Sequence, residues 1–222
     1  EEDEIQGGIY QIQILLNLSY GFLDLGRLNA AREYLKRAEA MNRVLEDPSL
    51  GARIRGFEGL IYHLNGNLGE AESRYKEALE ELKHLPDDLR AQSYLNKHLG
   101  DLYLAQDRIP QADSAVQAAS ILADEGRYKD LIIEAHTSQG RIHAHREEWA
   151  KAHLFYETAL QTARDIDCRR LEAAVLCTLA RLALDQGDNG SAAYHAMRSL
   201  KLANELRLGL RVSHSLVVLG KA

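Results

Sequence analysis

Apolar residues recur along this chain at helical spacing, in paired segments separated by short polar breaks. From Ile9 to Leu25 they stand at Ile9, Ile12, Leu15, Leu16, Tyr20 and Leu23, and also at Ile14, Leu18, Phe22 and Leu25. That covers most of the circumference, the pattern of a helix with neighbours on more than one side. Gly26-Arg27-Leu28-Asn29 interrupts it, and Ala31, Leu35, Ala38, Met41 and Leu45 resume it over Ala30 to Leu45. A helical hairpin is predicted. The design recurs as 50–64 with 68–85, 88–105 with 109–124, 128–145 with 149–165, and 169–186 with 191–206, before a half unit from Leu208. Asn67 is expected to cap the helix that follows it and Pro86 to close the one that precedes it, while Pro110 is tolerated in a first turn.

The hairpins are in register with one another. Small residues recur as Ser19, Gly59, Gly100, Gly140, Ala180 and Gly220, and seven residues after each of the first five stands Gly26, Gly66, Asp107, Glu147 or Gly187. Ala31, Ala71, Ala112, Ala152 and Ala192 follow five residues later, at intervals of 40, 41, 40 and 40. Such regularity predicts a stack of like units, each burying an apolar face on the next. The small residues are expected to allow close helix approach, with Tyr62, Tyr103, Tyr75 and Tyr156 filling the wider gaps.

Leu99-Gly100 with Tyr103, Gly59 with Tyr62, Ala71 with Tyr75 and Ala152 with Tyr156 resemble the tetratricopeptide repeat pattern of Leu-Gly, a Tyr three residues on, an Ala, and an aromatic four residues after it. Ser19 in the first unit and Ala180, Ala183 and Ala196 in the fifth depart from it, and the units exceed the usual 34 residues. The longer repeats resemble those of kinesin light chain, the LGN/Pins scaffold and bacterial MalT-like or STAND-type regulators. The resemblance implies an all-α, right-handed α–α superhelix of five hairpins and a half repeat, with repeats at about 9–45, 49–85, 88–124, 128–165, 169–206 and 208–222. It implies one solenoid domain over 1–222, expected to be part of a longer protein.

Charge and composition narrow the function classes. Acidic and basic residues are interleaved around a net charge of −6, which does not suggest a nucleic-acid surface. Glu1-Glu2-Asp3-Glu4 is a short acidic cluster, and no apolar run reaches 18 residues. Cys168 and Cys177 would lie about 13 Å apart on one helix, too far to bridge. A cysteine-poor chain of this kind is expected in the cytoplasm. His143 and His145 point to opposite sides of a helix, Cys177 has no evident base, and Gly66-Asn67-Leu68-Gly69 lacks the Lys of a phosphate loop. No enzyme, metal or cofactor is expected.

The resemblance also places groove-lining positions on the first helix of each unit: Gln13, Asn17, Tyr20 and Asp24; Arg53, Phe57, Leu60 and His63; Tyr94, Lys97, His98 and Asp101; Glu134, Thr137, Ser138, Arg141 and His145; Cys177, Thr178, Arg181 and Asp185. The Lys/Asn/Asn/Lys/Arg set of co-chaperone repeats is not reproduced. The expected function is a non-catalytic protein- or peptide-binding scaffold within a larger signalling or regulatory protein. An acidic partner segment is expected against Arg53, Lys97, Arg141 and Arg181, with Phe57, Leu60 and Tyr94 as apolar anchor, and with Asp24, Asp101, Glu134 and Asp185 as candidate internal counter-ions. The alternative is a structural spacer or oligomerisation segment that uses its ends, since the first helix and Leu208, Leu210, Val212, Leu216, Val217 and Leu219 of the last are strongly apolar.

Overall fold

The computed structural model describes residues 2–222, without the side chains of 2–4, 209–211 and 213. The acidic cluster at Glu1 to Glu4 and the apolar role of Leu210 therefore lie outside the described side chains. Eleven α-helices and no strand form the described chain: α1 (Glu2–Asp24), α2 (Leu28–Leu45), α3 (Pro48–Leu64), α4 (Leu68–Leu82), α5 (Leu89–Ala105), α6 (Ile109–Glu125), α7 (Lys129–His145), α8 (Trp149–Asp165), α9 (Arg169–Asp185), α10 (Asn189–Glu205) and α11 (Gly209–Leu219).

Successive helices pack as hairpins, and each odd helix also touches the next odd helix, from α1 with α3 through to α9 with α11. Among the described residues the backbones of successive even helices do not come as close as those of the odd helices. The odd helices thus form the tighter, inner layer, and the array curves toward them into the right-handed superhelix expected of the repeat. Curvature carries far enough for α1 to meet α11.

The marker residues have steric roles. Gly26, Gly66, Asp107, Glu147 and Gly187 all have φ between 58° and 80°, so each turns its hairpin through the left-handed region that favours glycine. A Cβ on Gly59 would sit 2.8 Å from the Tyr75 ring and one on Gly140 2.4 Å from Tyr156, so the glycine seats the tyrosine of the partner helix. At Gly100 the occupant is Val116, 2.5 Å from such a Cβ. Ser19 fits the same register because its hydroxyl donates to the Ala31 carbonyl at 3.0 Å.

Some local expectations are corrected. The first helix begins at Glu2, ahead of Ile9, and α4 ends at Leu82 rather than Leu85. The amides of Lys83, His84 and Leu85 bond three residues back, tightening the chain before Pro86, whose ring excludes helical geometry at Leu85. Asn67 makes no side-chain cap. The caps are Asp47, Asp88 and Asp188, which accept from the amides of Leu50, Ala91 and Ser191.

The apolar interior runs as successive clusters along the stack, ending in a small one of Ala180, Ala196 and Val218. At the ends, Tyr10, Ile14, Leu18, Leu216 and Val217 are exposed, whereas Leu208 and Val218 are buried. Among the described residues no helix is long and apolar enough to cross a membrane.

Candidate partner-binding groove

The inner layer encloses a channel with two chambers. One, of about 540 Å³, is lined by Gln13, Asn17 and Tyr20 of α1, Arg53 and Phe57 of α3, Arg90 and Tyr94 of α5, Asp130 and Glu134 of α7, and Arg170 of α9. The other, of about 410 Å³, lies toward the C-terminal ends of the same helices, against Leu60, His63, Lys97, Asp101, Ser138, Arg141, Thr178 and Arg181. Tyr20 and Glu134 border both.

Between the chambers runs a network of charges. Lys97 Nζ lies 3.1 Å from Asp101 Oδ2 and 3.5 Å from Glu134 Oε2. Asp101 Oδ1 accepts from Arg141 at 2.9 Å and from the Ser138 hydroxyl at 2.7 Å. Arg170 reaches Glu134 at 3.7 Å and Asp24 at 3.6 Å, and donates to the Tyr20 hydroxyl at 3.0 Å. The guanidinium also stands 5.1 Å over the Tyr20 ring. Arg170 therefore staples the fifth hairpin to the first, 150 residues away in sequence.

Burial dominates the electrostatics and the pairs answer it. At Asp101 burial works against the charge, yet Lys97, Arg141 and the Ser138 bond outweigh it and hold the carboxyl well below its usual range. Burial likewise disfavours the charge of Lys97, and Asp101 and Glu134 reverse the effect, raising its pKa. Arg170 is raised against burial by Tyr20, Glu134 and Asp24. Burial first, then Glu134, pushes Tyr20 up to about 12. Burial, with Lys97 beside it, pushes His98 well below the normal imidazole range.

Two of the four expected groove cations are held by carboxylates of the chain itself. Lys97 and Arg141 pair with Asp101 and Glu134, which offsets the cost of burying their charge. The four also do not share a row: Arg53 stands six residues before its small marker residue, Lys97 three before, and Arg141 and Arg181 one after. Arg53 and Arg181 differ from the other two. Among the described residues neither makes a hydrogen bond or ion pair, and burial pulls the Arg53 pKa down.

Phe57, Leu60 and Tyr94, the residues expected as an apolar anchor, are packed into the wall. Tyr20 meets Phe57 edge-on at 6.1 Å, Phe57 stacks on Tyr94 at 5.6 Å, and Tyr94 tilts against His98 at 4.3 Å. Phe57 and Leu60 are each only 8% exposed. Asn17 is exposed beside Arg53 in the larger chamber, while His145 leaves the central wall to meet Asp107 at 2.9 Å. His143 stacks on Phe155 at 5.2 Å, with Nδ1 2.6 Å from Glu148. Cys168 and Cys177 are not joined in a disulfide. Among the described residues no three potential metal ligands converge.

Arg170 was absent from the sequence-derived groove. Its signal was nonetheless present, since Arg90, Asp130 and Arg170 recur at 40-residue spacing with alternating charge, and Arg90 pairs with Asp130 as Arg170 pairs further in.

No protein-family model and no curated protein matches the chain. Solved structures do. A Rap protein complexed with competence and sporulation factor aligns with a TM-score of 0.74 at 13% identity, covering 96% of this chain and 69% of that one. A thermophilic tetratricopeptide repeat protein of Thermus thermophilus aligns at 0.62 and 23% identity, covering 93% and 99%. A STAND protein of Pyrococcus horikoshii with a tetratricopeptide repeat sensor aligns at 0.60 and 17%, covering 96% of this chain and 33% of that protein. The shared property is the fold.

Proposed function

From the tetratricopeptide-type solenoid shared with these structures, we propose that the chain is a binding scaffold that receives a segment of another protein, or a peptide, inside its concave channel. The observation that carries this reading is the channel itself: five first helices, stapled across by Arg170, enclose two chambers of about 540 and 410 Å³. Cavities of that size suit side chains of an extended or helical segment. An acidic segment is favoured by Arg53 and Arg181, the two predicted groove cations that remain without counter-ions among the described residues. One neighbour of the same fold is complexed with competence and sporulation factor, which accords with a scaffold that binds a partner. A place in a larger cytoplasmic signalling or regulatory protein, with no reaction and no nucleic acid assigned to this segment, completes the proposal.

The second reading, a spacer or self-associating segment, draws on the exposed Tyr10, Ile14 and Leu18 at one end and Leu216 and Val217 at the other. Selection of displayed peptides on the immobilised chain separates the two. Asn17→Trp and Thr178→Trp, which fill the chambers from partly accessible positions, are expected to abolish binding of selected peptides, and Leu216→Asp with Val217→Asp to leave it intact. The reverse pattern, or an increase in mass with concentration that the end substitutions remove, would transfer the function to the ends.

A further inference from the structure

We propose that the larger chamber is a receptor for a single carboxylate carried beside an apolar or aromatic group, with Arg53 as its counter-ion. The inference rests on the channel-binding reading and gives it a chemistry.

Every other charge on this chamber has an occupation. Arg90 pairs with Asp130, and Arg170 with Glu134 and Asp24. Asp88 is the anion that acts most strongly on Arg53, but its oxygens serve the Ser49 hydroxyl and the Ala91 amide, and no ion pair within 4 Å joins it to Arg53 among the described residues. Burial consequently weighs on the Arg53 charge without a bond to offset it. A partly buried guanidinium with five unused donors is an incomplete arrangement, and a planar carboxylate is the group that completes it in two parallel bonds. The amides of Gln13 and Asn17, which make no side-chain hydrogen bond among the described residues, stand on the same chamber as further donors.

Charge balance selects a carboxylate over a phosphate. The lining carries Arg53, Arg90 and Arg170 against Asp88, Asp130 and Glu134, three charges of each sign, so a bound monoanion leaves one net negative charge on the chamber and a dianion leaves two, facing the same three carboxylates. The aromatic floor of Tyr20, Phe57 and Tyr94 supplies the apolar neighbour. A side-chain carboxylate and a free chain terminus share this chemistry.

The test uses the intact chain and small probes. Titrations of 3-phenylpropionate, 3-phenylpropionamide and phenyl phosphate are followed at the arginine Nε–Hε signals, with Arg53 assigned through Arg53→Met and, should that variant fold poorly, Arg53→Gln. The carboxylate is expected to shift the Arg53 signal and to bind at least ten-fold more tightly than the amide, with the preference lost in the variant. Equal binding of acid and amide, a preference that survives loss of Arg53, or tighter binding of the phosphate would overturn the assignment. Peptide display then separates the two levels of the reading. Enriched peptides that lack any Arg53-dependent carboxylate sink this inference alone, and failure to enrich any peptide sinks the channel reading. In enriched peptides, amidation of the C-terminus against Glu→Gln or Asp→Asn exchange tells which kind of carboxylate is bound.

Discussion

Two parts of the same concave wall treat buried charge in opposite ways. Around Asp101, three helices contribute groups that satisfy one another: Lys97 from α5, Arg141 and Ser138 from α7, and Glu134 linking onward to Arg170 of α9. Around Arg53 the neighbours are committed elsewhere, and the guanidinium has no partner among the described residues. The first arrangement has the form of structure, since removing any member strands another. The second has the form of a site, because only an external group completes it.

If that contrast is right, the largest effect belongs to the saturated wall. Asp101→Ala leaves Lys97 and Arg141 facing each other without their shared anion, and breaking a buried pair in this way costs about 3–5 kcal/mol. Chemical denaturation should register that loss with circular dichroism still helical before the transition. A loss under about 1 kcal/mol would mean that water reaches the network freely, and the contrast with Arg53 would fail.

The same carboxylate fixes an acid limb. Its folded pKa is depressed, so more protons bind in the unfolded state, and stability from this group is present above the unfolded value of about 3.9 and is lost as pH falls below it. Asp101→Asn should flatten stability against pH in that window. An alkaline limb runs the other way. Tyr20 rises from 10.0 to about 12, and burial raises Tyr75, Tyr94 and Tyr156 too, so the folded state holds protons that the unfolded chain has released. Stability should decline from pH about 10 toward 12, and absorbance titration of the folded chain should place the ionisation of these four tyrosines above pH 10.

The staple across the channel lies between the extremes. Arg170→Gln removes bonds to Tyr20, Asp24 and Glu134 at a partly exposed position, for which about 1–2 kcal/mol is the expected loss. Its distinctive readout is shape: X-ray scattering should show a larger radius of gyration, and the wild type should approach that value as salt rises. Unchanged scattering would show that packing of α1 on α11, rather than the ionic contact, holds the superhelix closed.

How much of this was legible beforehand depends on range. The hairpins and their turns follow from local periodicity, because Gly26, Gly66 and Gly187 and the small markers carry their steric reason in the residue type, whereas the inner role of the first helices was implied by the resemblance to tetratricopeptide repeats. The turn residues Glu46, Arg127, Asp167 and Arg207 also have positive φ, and nothing in their chemistry announces it. Asn67 makes no side-chain cap, although Asp188 at the equivalent start of α10 does. The candidate site was legible as a set of groove positions. Its pairing was not, since whether Lys97 faces Glu134 or a partner depends on the twist between α5 and α7. Contact of Arg170 with Tyr20 depends on the sum of that twist over all five hairpins.

The smallest expected effect is the most discriminating. Arg53→Met keeps the length and apolar stem of the side chain and removes a charge that burial disfavours and no described partner supports. Its stability should therefore change by no more than about 1 kcal/mol, in either direction, while Arg141→Met loses clearly more because Asp101 depends on it. Asp88 provides the internal control. If Asp88 were the true counter-ion of Arg53, Asp88→Asn would destabilise the wild type and not the Arg53→Met background, and a double-mutant cycle would return a coupling of about 1 kcal/mol or more. A coupling near zero, together with a tolerated Arg53→Met, would leave the guanidinium with no structural purpose inside the chain and so with one outside it.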